Sequence, residues 1–168
     1  AEATITSAGN TAALFEVSNG SIITVADNAT LGDSASQVNI DATSALKLET
    51  DTLASAVENN GMLFLADGGS SIGTLSGSNY GITRFAKIGD VLTVNGDMTG
   101  SHVFDNILIN TDTNAANRFD ISGNVSGNYI MSGENVGDES KVTKNTRITD
   151  FILFGSETGD KKKYEVAI

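Results

Sequence analysis

The thirteen residues from Leu92 to Phe104 recur in pattern from Phe119 to Met131, 27 positions further on. Leu92, Val94, Met98, Val103 and Phe104 meet apolar counterparts in Phe119, Ile121, Val125, Ile130 and Met131, and both glycines coincide. A weaker echo lies upstream, with Leu63, Leu65, Ile72 and Leu75 before Ser76-Gly77-Ser78. Shorter apolar pairs precede it: Leu14/Val17, Ile23/Val25, Val38/Ile40 and Leu46/Leu48. A repeat of this length marks a solenoid, in which each unit buries its apolar face only by stacking on its neighbours. The ten repeat residues form the expected folding-core ladder, Leu92 near Phe119 and Val94 near Ile121.

Composition says what kind of solenoid. The 168-residue chain contains no Pro. Pro lacks a backbone N–H and is confined to sheet edges and bulges, so its absence suits strands that are nearly all internal. Gly, Ser, Thr and Asn make up 69 of the residues and fall between short β-branched clusters. Asn19-Gly20, Asn60-Gly61 and Asn95-Gly96 supply residues that tolerate positive φ, as tight corners require. No long window keeps a helical period; the best helical candidate, Asp51 to Glu58, is short. The expectation is an all-β chain folded as a right-handed parallel β-helix. A leucine-rich horseshoe fits less well, because its leucine pattern is missing, and a β-sandwich with hairpins is the remaining rival.

The pattern stops after Met131. Residues 132–147 are polar, and Ile148 to Phe154 is the most hydrophobic stretch. A turn over 155–160 and an alternating segment from Lys163 to Ile168 complete an expected β-hairpin. Phe151, Leu153, Phe154, Tyr164 and Val166 are its apolar residues. An open stack exposes unpaired N–H and C=O groups, so a terminal cap is the natural role for it. The chain divides into 1–80, β-helix rungs, and 81–168, a terminal segment with its capping hairpin.

Charge and residue types exclude several functions. The net charge is -11, which opposes phosphate binding and argues against nucleic acid. With no Cys there is neither a disulfide framework nor a Cys-based zinc site. His102 is the only His, and no Gly-x-Ser-x-Gly elbow accompanies it, so a hydrolase triad is disfavoured. Its repeat counterpart is Tyr129, which suggests an outward position beside a turn. Asp90, Asp97, Asp105, Asp112 and Asp120 lie in or near turns without a tight pair, and read as solvated. The chain is thus not read as an enzyme, and no cofactor, metal or small-molecule substrate is expected. Tyr80 and Arg84, in a basic-aromatic stretch, and Lys161, Lys162 and Lys163 form a possible partner surface. Edge protection is the plainer reading of the lysines.

The C-terminal half of the chain resembles the autochaperone (pertactin-like C-terminal) segment of Gram-negative autotransporter passengers. The resemblance rests on Leu92-Thr93-Val94-Asn95-Gly96, Met98-Thr99-Gly100, the strand Ile107 to Asn110 with Thr111-Asp112, and Phe119 to Asn128. Ile152-Leu153-Phe154 and 159–166 complete it. Asn117-Arg118 stands where the family has an acidic residue. The family's final aromatic strand is absent, as in an excised fragment. The segment 1–80 matches only as generic β-helix. The resemblance implies a virulence-associated passenger secreted through the periplasm to the outer membrane and cell surface. Its C-terminal segment would fold first and template the rest. The implied partners are the rest of the passenger and its C-terminal membrane β-barrel. Length and wording are most similar to an actin-recruiting member, which adds a host regulator of actin nucleation as a partner. The absence of Cys agrees with secretion by threading. An adhesin-like module binding a host protein is the alternative.

Overall fold

The computed structural model describes residues 1–87, 89–108, 117–134 and 165–167. Sixteen short strands fill the described chain, with no helix among them: β1 (Glu2–Ile5), β2 (Leu14–Val17), β3 (Ile22–Val25), β4 (Gln37–Ile40), β5 (Ala45–Leu48), β6 (Thr52–Leu53), β7 (Ala56–Asn59) and β8 (Met62–Phe64). Then follow β9 (Gly69–Ile72), β10 (Leu75–Ser76), β11 (Gly81–Arg84), β12 (Val91–Val94), β13 (Ser101–Leu108), β14 (Arg118–Ile121), β15 (Asn128–Glu134) and β16 (Glu165–Ala167). The short helical candidate at 51–58 becomes β6, a corner and β7, because Leu53 and Val57 are both needed inside.

These strands stack into a parallel β-solenoid, as the repeat anticipated, with seven parallel strands one above another in its first wall. Three sheets form its walls. The first runs β1-β3-β5-β8-β11-β13-β15-β16, the second β10-β7-β4-β2 and the third β14-β12-β9-β6. Every pairing is parallel except the last, β15 with β16. Isolated bridges Leu75–Met98 and Met98–Val125 extend the second wall toward the C-terminal side.

The core is a set of ladders. Strand residues alternate faces, so one residue in two points inward. In the first wall Leu46, Leu63, Thr83, Phe104 and Met131 lie in one buried column. The second holds Phe15, Val38, Val57 and Leu75, continued by Met98 and Val125. The third holds Leu53 and Ile72, in line with Val94 and Ile121. All five repeat pairs are Cα partners: Leu92 with Phe119, Val94 with Ile121, Met98 with Val125, Val103 with Ile130 and Phe104 with Met131.

The period is not constant. The column Ala3, Ile23, Leu46, Leu63, Thr83, Phe104, Met131 is unevenly spaced in sequence, with its shortest step from Leu46 to Leu63 and its longest from Phe104 to Met131. Corners absorb the difference while the ladders hold register. One corner is built from stacked glycines. A Cβ on Gly127 would meet the carbonyl oxygen of Gly100 at 1.9 Å, and a Cβ on Gly100 would meet that of Gly77 at 1.9 Å. Here the N–H of Ser101 donates to Gly77 and that of Asn128 to Gly100, both at 2.9 Å. The expected boundary at 80 and 81 falls in this column's widest corner. Gly77 stacks under Gly100 but Gly81 pairs with His102, so the corner is wider there while the first wall continues unbroken.

Buried asparagines clamp neighbouring turns. Asn59 donates to the Ile82 carbonyl at 2.9 Å and to Thr83 Oγ1 at 3.2 Å, and accepts the Gly61 N–H at 3.1 Å. Asn117 donates to the carbonyls of Lys87 and Asp90 at 2.9 and 3.2 Å. A buried amide satisfied in this way fixes how two turns sit together.

Candidate functional site

The large aromatic residues of the described core gather at its C-terminal side. Phe85, Phe104, Phe119 and Tyr129 are all essentially inaccessible to solvent. Phe119 meets Phe104 and Phe85 edge-on, with ring centroids 4.6 and 5.5 Å apart. Tyr129 stacks on His102 and Phe104 at 5.8 Å from each, and His102 lies 6.0 Å from Phe104. Each such aromatic pair is worth about 0.5–1.5 kcal/mol beyond the area it buries. Upstream, the fully buried apolar positions carry Val, Leu, Ile and Ala, and Phe15, the ring in the second-wall ladder, is only partly buried.

His102 is part of this cluster, not of the surface. It and Tyr129 face inward, because Gly81, His102 and Tyr129 are aligned Cα partners on the buried side. Polar atoms at their tips reach corner carbonyls. His102 Nε2 donates to the Thr99 carbonyl at 2.7 Å, and the Tyr129 hydroxyl lies 3.0 Å from the Met98 carbonyl and close to that of Ser126. The proton on Nε2 leaves Nδ1 an acceptor, buried without a hydrogen-bond partner among the described residues. Burial pushes the imidazole pKa below its ordinary value, against the weaker opposing pull of the Thr99 carbonyl. Burial likewise pushes the Tyr129 phenol well above its usual range.

Alternation then decides the remaining repeat residues. Leu92, Val94, Met98, Phe104, Phe119 and Met131 are buried, and Ile121 and Val125 partly so. Val103 and Ile130 alternate to the outer face, where they stack on one another and on Ile82, only half-covered. They belong to an outer ladder, and the inner places expected of them are held by His102 and Tyr129. Leu14 is corrected in the same way: it points outward and is 50% exposed, while Phe15 beside it turns in.

The N-terminal end of the stack has no cover among the described residues. β1 and β2 are sheet edges there, and Ile5, Phe15 and Ile23 are only partly buried. Such an edge presents unpaired N–H and C=O groups in the spacing that a further parallel strand needs. At the other end the last partner is antiparallel: Asn128, Tyr129 and Ile130 pair with Ala167, Val166 and Glu165. Of the expected cap hairpin, Val166 lies in β16, while Phe151, Leu153, Phe154 and Tyr164 lie outside the described residues. So do Lys161, Lys162 and Lys163.

The surface residues divide. Tyr80 is 43% exposed, with φ at +50° in the widened corner. Arg84 is engaged, forming an ion pair with Asp105 of the next turn. Asp90, expected in solvent, is buried and accepts the N–H groups of Lys87 and Gly68 at 3.1 and 3.2 Å. Asp97 accepts from Asn124 N–H at 2.8 Å, and Asp120 pairs with Arg118 at 3.3 Å. Asp112 lies outside the described residues. Asp105 and Asp120 lie in β13 and β14 and pair with arginines, whereas Asp90 and Asp97 pin corners. Asp41, which the sequence did not single out, does so most fully. It accepts the backbone N–H groups of Asn19 and Thr43 and the Thr43 hydroxyl, and the Asn19 N–H foremost, then the Ser44 hydroxyl and the two Thr43 donors, hold its pKa down at about 2. Among the described residues no cluster of three or more His, Cys, Asp or Glu is placed to hold a metal.

No known protein family, no curated protein and no solved structure matches the chain.

Proposed function

We propose that this chain is the autochaperone segment of a secreted autotransporter passenger, which folds first at its C-terminal side and templates the turns that precede it. The observation that carries this reading is the contrast between the two sides of the stack. The C-terminal turns hold the four fully buried aromatic rings, whereas the N-terminal edge is open and its apolar residues are partly exposed. In a solenoid, stability is approximately a sum of unit and nearest-neighbour terms, so folding starts where those terms are largest and spreads along the axis. The implied partners are the remainder of the passenger and the membrane β-barrel that exports it, with the cell surface as destination. The net charge of -11 helps keep an unfolded passenger from associating with its neighbours.

The test is surface display of the full passenger fused to its barrel. Phe119→Asp places a charge in the buried cluster and is expected to abolish display while the barrel still inserts. Ordinary display of this variant would refute the proposal.

A second reading, a module that binds a host protein such as a regulator of actin nucleation, is favoured by exposed Tyr80 at the widened corner. Capture of such a regulator by the isolated chain, lost with Tyr80→Ala, would favour it.

A further inference from the structure

The chain contains three Asn-Gly pairs, at Asn19-Gly20, Asn60-Gly61 and Asn95-Gly96. Asn is among the thermolabile residues of proteins, and a following glycine makes it more so by leaving the next nitrogen unhindered. The structure treats the three pairs differently. Asn60 Oδ1 accepts the Ser78 N–H at 2.9 Å, and its Nδ2 donates to Glu58 at 3.1 Å. Gly61 is buried, and its N–H is held by Asn59 Oδ1. Asn95 Nδ2 donates to Ser71 Oγ at 2.7 Å and to the Ile72 carbonyl at 3.1 Å. Both side-chain amides are thus fixed to a neighbouring turn.

Asn19 is not. It is exposed, sits at φ +59°, and its side-chain amide has no hydrogen-bond partner among the described residues. Gly20 is exposed too, with nothing within 4 Å of where a Cβ would stand. One chain of contacts restrains the pair. The Gly20 N–H donates to Thr43 Oγ1 at 3.0 Å, the Thr43 hydroxyl donates to Asp41 Oδ1 at 2.8 Å, and Asp41 Oδ2 accepts the Asn19 N–H at 2.9 Å.

We propose that Asn19 is the spontaneous deamidation site of the folded protein, and that Thr43, held by Asp41, sets its rate. The Gly20 nitrogen gives its proton to hydroxide and attacks Asn19 Cγ. The Cγ–Nδ2 bond breaks, ammonia leaves with a proton from water, and a five-membered succinimide remains. Water then opens one of the two imide C–N bonds, leaving an aspartyl or isoaspartyl residue at position 19. The net change is one water consumed and one ammonia released. Attack requires the Gly20 N–H to leave Thr43 Oγ1, and the Asp41 carboxylate opposes the negative charge that develops at the nitrogen. The isoaspartyl product adds a methylene to the backbone between β2 and β3, and either product adds a carboxylate beside Asp41. The modification falls on the open end of the stack, away from the buried aromatic cluster.

The experiment incubates the full chain, folded and in urea, at mildly alkaline pH in heavy-oxygen water, with peptide mapping by mass spectrometry. In the folded chain Asn19 converts faster than Asn60 and Asn95, and in urea the three converge. Thr43→Ala speeds conversion at Asn19 about fivefold, the factor that one ordinary hydrogen bond is worth in a barrier, and leaves the other two unchanged. Thr43→Ser, which keeps the hydroxyl, retains the wild-type rate. Equal rates at all three positions in the folded chain would overturn the site. An unchanged Asn19 rate in Thr43→Ala, or acceleration of all three together, would overturn the gating.

Discussion

Replacing Phe119 by alanine tests where the stack keeps its stability. The ring is 1% exposed, aligned with Leu92 in the third wall, and in edge contact with Phe104 and Phe85. Truncating a fully buried Phe removes its transfer free energy and leaves a cavity, at a cost of about 3–5 kcal/mol. The matched control is Phe15→Ala. Phe15 is only partly buried, and its ladder neighbour Val38 lies on one side alone. Partly exposed and flanked by a ladder neighbour on one side only, Phe15 should cost less to truncate, about 2 kcal/mol. The readout is native-state hydrogen exchange, resolved by strand, because a repeat array need not unfold in one step and a single midpoint would blur the two sites. In the wild type the amides of β12 to β15 should exchange most slowly and those of β1 to β3 fastest. Phe119→Ala should lower protection throughout β11 to β15 and in the turns stacked above them. Phe15→Ala should loosen only β1 to β4. If β2 and β3 are the best protected strands, or if Phe15→Ala costs as much as Phe119→Ala, the C-terminal turns are not the stable unit and the templating argument fails.

Two further outcomes follow from the same geometry. Gly100→Ala should destabilise by more than about 2 kcal/mol in urea unfolding, since it adds left-handed strain at φ +91° to a collision with the Gly77 carbonyl; a neutral effect would mean the glycine column is not tightly stacked. His102 has a folded-state pKa below its unfolded value, so its contribution to stability is complete above the unfolded pKa and is lost as pH falls from there through the folded pKa. Thermal unfolding should show the wild type losing up to about 1.4 kcal/mol per pH unit below about pH 6.5 relative to His102→Phe; parallel pH profiles would remove the imidazole from the account.

The ladder Leu92–Phe119 and Val94–Ile121 was readable because Phe119 and Ile121 alternate with Arg118 and Asp120, which fixes the phase, and the 27-residue repeat carries that phase back to Leu92 and Val94. Two features hid the rest. Val103-Phe104 and Ile130-Met131 are apolar at adjacent positions, so alternation there does not say which residue points in. The polar character of His102 and Tyr129 pointed the wrong way, since their tips reach carbonyls that sequence cannot locate. Upstream, the turns are shorter than the last one and unequal among themselves, so the echo was faint although the ladders continue. The buried Asp90 and the Asp41 network were invisible for a related reason. A carboxylate that receives backbone N–H groups across a corner reads in sequence like any turn aspartate.

The two ends of the first wall differ in a way that gives the stack a direction. β15 is joined to an antiparallel strand, β16, while the outer edge of β1 carries no partner among the described residues. A parallel solenoid grows by laying each new strand in the sense of the last, because the chain must circle the axis before it returns to the same wall. An antiparallel strand cannot continue that course: the next turn would enter from the wrong end of the wall. The β1 edge has no such block, and its half-covered Ile5, with Phe15 on the neighbouring wall, leaves apolar surface for another turn to bury. Under the proposed function, addition would fall on the N-terminal side, opposite the buried rings of Phe85, Phe104, Phe119 and Tyr129. The C-to-N templating proposed above would need those two things, a stable end rich in buried rings and an accepting edge opposite it.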